Sequence, residues 1–209
     1  MTFDHSYLLF LTIFFLFGYF MGSIPFGLLL TKISGLGDIR NIGSGNIGAT
    51  NVLRTGNKKI ALLTLILDGS KGALAIYVVN IYTSFIELDF SNNIDFFQSV
   101  VAVSAVIGHC FPIWLNFKGG KGVATGFGAI IFLNISVGVI ALLIWVLIAK
   151  LFKISSLSAL ISYFFIPILM FFFASENTFL VASLLISLIC FLKHKENIKR
   201  LINRSEVKI

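Results

Sequence analysis

Four short segments of this chain combine cations, glycines and small hydrogen-bonding side chains, the residue types that hold phosphate. The first reads Gly43-Ser44-Gly45-Asn46-Ile47-Gly48-Ala49-Thr50-Asn51-Val52-Leu53-Arg54. Glycines let successive backbone N–H groups converge on an anion, and serine, threonine and asparagine add donors. Arg54 brings a guanidinium fork that matches phosphate geometry. An ordinary flexible connector needs neither so many small donors nor the arginine. Ser44, Gly45, Asn46, Gly48, Thr50, Asn51 and Arg54 are therefore expected to form one phosphate cradle.

The second segment, Asp68-Gly69-Ser70-Lys71-Gly72, lies inside or at the edge of an apolar run. An ionisable pair at membrane depth is costly, and by default it marks a functional site. Asp68 and Lys71 are also spaced i, i+3, so an internal ion pair that packs helices is the alternative. Both readings can hold together, with Lys71 a candidate phosphate ligand. The third segment runs from Gly108 to Thr125 and contains Lys118-Gly119-Gly120-Lys121-Gly122 just before a helix. Two cations on a backbone of minimal bulk, followed by the partial positive charge of a helix N-terminus, suit a second phosphate. Lys118, Gly119, Gly120, Lys121 and Gly122 are the expected second cradle, and His109 upstream is a possible general base or a structural histidine. The fourth segment begins His194-Lys195-Glu196-Asn197. A basic tail attracted to anionic lipid would explain its charge. His194 and Asn197, three apart on one helical face, could also share a ligand.

Two nucleotide motifs are excluded. Gly43, Gly45 and Gly48 satisfy G-x-G-x-x-G, with Asp68 where a ribose-binding acid would fall, but an apolar helix rather than a strand precedes them. No G-x-x-x-x-G-K-[ST] occurs anywhere. No metal or cofactor is expected. Cys110 and Cys190 lack metal-like spacing and read as packing residues.

The elements that position these segments are membrane helices. The 209 residues are 57% hydrophobic and only 12% charged, half the share usual in a soluble domain of about 25%. Apolar blocks at 6–33, 60–86, 94–116, 122–149, 155–174 and 178–192 are each candidates for a crossing of about 20 residues. Met1 to Tyr7 contain Asp4 and no lysine or arginine, so the first block reads as a retained helix with its N-terminus outside. The net charge of +7 does not imply nucleic acid, because the basic residues lie in short loops that obey the positive-inside rule.

That rule also fixes the helix count. Crossing once, block 122–149 would strand Lys150, Lys153 and the C-terminal basic cluster outside. A hairpin turning near Asn134–Gly138 restores all sixteen lysines and arginines to the inner side or its edge, and leaves Glu87, Asp89, Asp95 and Glu176 outside. The expected architecture is one all-α, polytopic membrane domain over residues 1–209, with seven transmembrane helices and a cytoplasmic C-terminus. Each half of the hairpin, at about 11 to 15 residues, is short for a span. Block 60–86 is over-long, so residues 57–67 either extend the helix or lie along the interface before a span begins near Gly69.

Together these segments resemble the bacterial acyl-phosphate-dependent glycerol-3-phosphate acyltransferases. The likeness covers Ser44-Gly45-Asn46-x-Gly48-Ala49-Thr50-Asn51-x-x-Arg54 and Asp68-x-x-Lys71-Gly72. It continues through Gly108-His109-x-Phe111-Pro112 and Lys118-Gly119-Gly120-Lys121-Gly122-Val123-Ala124-Thr125, and ends at His194-x-Glu196-Asn197-Ile198-x-Arg200-Leu201. Order and spacing run almost the whole chain. Ile47 stands where many relatives have proline, and Arg204 where glycine is usual. The soluble-type H-x-x-x-x-D motif is absent, since Trp114 follows His109 at the position of the acid.

The resemblance implies a seven-helix bundle in the bacterial plasma membrane, acting as a monomer with its site toward the cytoplasm. It implies transfer of a fatty acyl group from acyl phosphate to the sn-1 hydroxyl of glycerol 3-phosphate, giving 1-acylglycerol 3-phosphate (lysophosphatidate) and phosphate. Ser44, Arg54, Lys118 and Lys121 would be catalytic, with Lys71 and the glycine loops on substrate phosphate and His194 and Asn197 on glycerol 3-phosphate. The proton of the hydroxyl would go to a substrate phosphate, or to His109 or His194. A phosphate or organophosphate transporter is the alternative, but it calls for inverted repeats, and only a same-side Gly-x-Lys-Gly echo is present. A CDP-alcohol transferase would need clustered acidic metal ligands, and the nine acids are scattered.

Overall fold

The computed structural model describes residues 5–85, 93–174 and 176–209, and among them every regular element is helical. Asp4, Glu87 and Asp89 of the expected outer face lie outside the described residues. The chain runs α1 (His5–Ser23), α2 (Phe26–Ile33), α3 (Ala49–Leu53), α4 (Lys58–Phe85), α5 (Ile94–Cys110), α6 (Val123–Leu133), α7 (Ile135–Phe152), α8 (Ser155–Phe173), α9 (Asn177–Lys193) and α10 (Lys195–Ile202). Single 3-10 turns at Ile39–Asn41 and Ile113–Leu115 interrupt the two long loops. Five stretches are long and apolar enough to cross a membrane: His5–Ile33, Lys58–Phe85, Ile94–Leu115, Ile135–Phe152 and Ser155–Phe173. Asn177–Lys193 makes a sixth only together with α10, to which it is bent by 61°.

Large apolar side chains are exposed on all five, such as Leu9, Leu62, Leu143, Phe171 and Phe172. That pattern suits a lipid environment, where no hydrophobic drive separates the faces of a helix and close packing holds the bundle. The α1–α5 seam shows how closely. A Cβ on Gly22 would overlap the backbone of Ala105, and one on Gly108 the backbone of Tyr19. Around this seam a single core joins Phe14, Ile76, Phe97, Val101, Ile130, Tyr163, Met170 and Ile186.

Three sequence expectations meet the structure here. Block 122–149 does break at Asn134, which caps the end of α6 and whose side chain accepts from the Val137 N–H at the start of α7. The chain folds back sharply, because a Cβ on Gly138 would lie 2.6 Å from the Cα of Ile131, seven residues earlier. On a straight helix such residues are about 10 Å apart along the axis. The halves are unequal, however: α6 has 11 residues and α7 has 18.

For residues 57–67, α4 continues unbroken for 28 residues from Lys58, as the extended-helix alternative has it. Leucines at 62, 63 and 65 are exposed there. Block 6–33, read as one run, is divided at Ile24–Pro25. Proline supplies no N–H, and the Lys71 ammonium takes the Ile24 carbonyl that the break releases, at 2.9 Å. These helix ends bring loop one, the α5–α6 loop and the α9–α10 bend to one end of the bundle, beside the Asp68 stretch of α4.

Candidate active site

At that end, a cleft of about 400 Å³ opens between loop one, α4, α6, α7, α8 and the C-terminal tail. Its volume falls in the range of about 300–1,000 Å³ typical of ligand sites. Loop one is built around Asn51, which is 1% exposed on the short α3. The Asn51 amide nitrogen donates to the carbonyls of Ile39, Ile42 and Asn46 at 2.8–3.0 Å. Its Oδ1 accepts from the Ser44 N–H (3.1 Å), the Ser44 hydroxyl (3.3 Å) and Arg54 Nη1 (3.2 Å). Asn51 therefore orders loop one, fixing Ser44 and Arg54, with its own polar atoms committed inside the loop. Thr50 reaches across the cleft to Ser155, with the two hydroxyl oxygens 3.1 Å apart.

The facing wall carries Lys121. Its ammonium donates to Asn197 Oδ1 at 2.5 Å. Burial pushes the Lys121 pKa down to about 8; Glu206 opposes this, while Arg200 and Arg54 add to it. The segment before it is threaded past His109: Gly120 donates to the His109 carbonyl at 3.0 Å, and Gly119 to Cys110 at 3.2 Å. A Cβ on Gly120 would collide with His109 Nε2, so only glycine fits against that ring. Gly122 follows at φ +81°, in the left-handed region that turns the chain into α6.

His194 and Asn197 flank the bend between α9 and α10. The Cys190 carbonyl can only accept, so His194 Nδ1–H donates to it, at 2.8 Å. Burial pushes the His194 pKa down to about 4, the Cys190 bond opposing and Lys121 adding to the shift. The ring is neutral near pH 7, and its Nε2 is left as an acceptor.

The cleft thus gathers Ser44, Asn46, Gly48, Thr50, Asn51, Arg54, Lys121, His109, His194 and Asn197 of the residues singled out in the sequence. It does not take in Gly45, Lys71, Lys118, Gly119, Gly120 or Gly122. Lys118 is exposed on the loop outside the cleft. Lys71 is 2% exposed, donates to Asp68 Oδ1 at 2.9 Å and does not line the cleft, so the structure shows the ion pair of the two readings. His109 lies under the same pair, with Nδ1 3.8 Å from Asp68 Oδ1. It has no hydrogen-bond partner there among the described residues.

Four polar lining residues were not anticipated: Lys58, Ser155, Ser156 and Glu206. None of them lies in one of the four glycine- and cation-rich segments. The one available signal was Glu206 itself, an acid among Lys199, Arg200, Arg204 and Lys208. Arg200 donates to it from Nε at 2.6 Å. Burial raises the Glu206 pKa, but hydrogen bonds from Arg200, Asn197 and Ser156 outweigh that and hold it below the usual value. Away from this polar mouth the lining turns apolar through Leu62, Leu65, Phe127, Leu142 and Trp145.

The family model described as glycerol-3-phosphate acyltransferase matches residues 12–204 of this chain. The chain belongs to the glycerol-3-phosphate acyltransferase family. A curated member from Gluconobacter oxydans is 48% identical over 197 residues, covering 93% of this chain and 90% of that protein. One from Mesorhizobium japonicum is 47% identical over 195 residues, covering 92% and 93%. Among solved structures, the crystal structure of PlsY, an integral membrane glycerol 3-phosphate acyltransferase, in its glycerol 3-phosphate form superposes with a TM-score of 0.85 at 30% identity over 95% of both chains. Its lysophosphatidic acid form gives 0.83 at 29% identity. The family assignment covers every segment that lines the cleft up to Arg204, and the last five residues lie beyond its matched range.

Proposed function

We propose that the protein transfers a fatty acyl group from acyl phosphate to the sn-1 hydroxyl of glycerol 3-phosphate. The products are 1-acylglycerol 3-phosphate and inorganic phosphate. One observation carries this reading: a single cleft joins a cationic, hydroxyl-rich mouth to an apolar limb. Two phosphate-bearing substrates repel each other unless several cations and donors share the mouth, and Arg54, Lys121, Ser44, Ser155 and Ser156 meet that demand. The acyl tail lies along Leu62, Leu65, Phe127, Leu142 and Trp145. Leu62, Leu65 and Leu142 are also 40–57% exposed on the flank of the bundle, so the limb is open to the bilayer.

Acyl phosphate is a mixed anhydride, so its leaving group is good and orientation with charge neutralisation supplies the rate. The glycerol hydroxyl attacks the acyl carbonyl, the carbon–oxygen bond to phosphate breaks, and the proton ends on the departing phosphate. His194 Nε2 accepts from the hydroxyl and aims it. His109 is a poor base in this arrangement, since the Gly120 backbone covers its Nε2 edge. The same reading makes the chain one monomeric domain of seven transmembrane helices. α6 and α7 form the hairpin, the N-terminus is outside, and the site faces the cytoplasm from the bacterial plasma membrane. The inward placement of the basic residues supports that orientation.

Purified protein supplied with palmitoyl phosphate and glycerol 3-phosphate is expected to release lysophosphatidate and phosphate in equal amounts. Palmitoyl-CoA serving equally well would overturn the donor. Absence of lysophosphatidate together with organophosphate uptake into vesicles would establish transport instead.

A further inference from the structure

The last residues of the chain fold back onto the cleft. Ser205 donates to the Arg200 carbonyl at 2.8 Å, and Ile209 donates to the Lys153 carbonyl at 2.8 Å, latching the tail at both ends. Between the latches, Glu206 turns inward until its side chain is only 8% exposed. Its Oε1 accepts from Asn197 Nδ2 at 2.6 Å and from the Ser156 hydroxyl at 2.9 Å, and its Oε2 accepts from Arg200 Nε at 2.6 Å.

Asn197 is thus clamped between an anion and a cation. Its Nδ2 meets the Glu206 carboxylate while its Oδ1 meets the Lys121 ammonium. Only one amide orientation satisfies both, because the flipped amide would set N–H₂ against an ammonium and an oxygen against a carboxylate. At 4% exposure, Asn197 has little access to water as a substitute partner.

We propose that Glu206 is a positioning residue of the active site: through the Asn197 amide, its carboxylate holds the Lys121 ammonium at the cleft. The proposal rests on the acyl-transfer reading and adds to it a role for the tail. It differs from a purely structural role in its reach to the cation. Lys121 faces Arg54 from loop one, Cys190 from α9, His194 at the α9–α10 bend, Arg200 from α10, and Glu206. Among these, Glu206 supplies the carboxylate that favours the protonated ammonium, and the arginines disfavour it.

The test compares full-length wild type, E206Q and E206D with palmitoyl phosphate and glycerol 3-phosphate across pH, with thermal unfolding recorded alongside. Lys121 must be protonated to hold phosphate, so wild-type kcat/KM falls as pH rises through about 8. E206Q is expected to lose about tenfold in kcat/KM, the scale of a hydrogen bond to a charged group. Its alkaline limb should move to lower pH, because the carboxylate that raises the Lys121 pKa is gone. E206D keeps the charge one methylene back, and about a threefold loss with a smaller shift in the same direction is expected.

Wild-type kcat/KM and an unmoved alkaline limb in a folded E206Q would overturn the proposal. So would a gain in activity with a lower KM for glycerol 3-phosphate, which would make Glu206 a competitor of substrate phosphate. If E206Q does not fold, E206D decides: wild-type values there would leave Glu206 only a structural role. Failure of the parent reading is separate, since wild type itself would then make no lysophosphatidate.

Discussion

The chain contains the sequence Gly-x-Lys-Gly twice, at Gly69–Gly72 and at Gly119–Gly122, and the structure puts the two lysines to opposite uses. Lys71 sits within the continuous α4, so its side chain must follow the helix surface, and that surface faces the interior. There it is 2% exposed and spends its donors on Asp68 and on the Ile24 carbonyl at the Pro25 break. Lys121 precedes α6 on an extended loop whose glycines press against His109, and it emerges into the cleft beside Asn197. Three shared residues do not fix where a lysine goes. What matters is whether the backbone around the lysine is a helix that buries it or a loop that delivers it.

The largest effect expected from this contrast is at Lys71. Breaking a buried ion pair from one side leaves an uncompensated charge and costs about 3–5 kcal/mol. Lys71→Met should therefore lower the thermal unfolding midpoint sharply in detergent, and adding Asp68→Asn should recover much of the loss. Turnover per folded molecule should stay within about threefold of wild type, the range of a minor surface interaction. If Lys71→Met instead unfolds normally but loses turnover, Lys71 takes part in the chemistry and the contrast fails.

Next is Lys121. A preorganised cation aimed at developing negative charge is worth about 10²–10³ in kcat, or roughly 3–4 kcal/mol. Lys121→Gln keeps a donor near Asn197 but removes the charge. The measurement is kcat/KM for phosphate release, with the unfolding midpoint near that of wild type. A loss confined to stability would move Lys121 into the same class as Lys71.

Much of this arrangement was legible in the sequence, and the reasons for the rest are physical. The break at Asn134 followed from charge, because sixteen basic residues could be kept on one side only by an extra turn. Ser44, Arg54, Lys121, His194 and Asn197 all line the cleft, and their segments stood out because composition and short-range spacing are local properties. The burial of Lys71 away from the cleft lining was not legible, because burial depends on which helix face meets a neighbour, and α4 is apolar nearly all round. Asn51 was expected to bind phosphate, yet its amide is taken up by three backbone carbonyls that no spacing rule anticipates. Ser155, Ser156 and Glu206 reach the cleft only through tertiary folding. Arg204 also has an explanation in the fold: it sits at φ +55°, where a glycine is relaxed, and the resemblance implies a glycine at this position.

The smallest effect is expected at Lys118, and it sharpens the contrast within one loop. Lys118 lies three residues before Lys121 and shares its glycines, but its side chain is exposed and outside the cleft lining. An exposed charge in water contributes about 0–1 kcal/mol to a nearby interaction. Lys118→Ala should therefore leave kcat/KM within about threefold of wild type. Raising ionic strength should erase even that difference, since a distant exposed cation acts only through a screened field. A loss approaching that of Lys121→Gln, insensitive to salt, would mean that Lys118 swings into the cleft when substrate binds. The loop, and not Lys121 alone, would then be the second phosphate cradle.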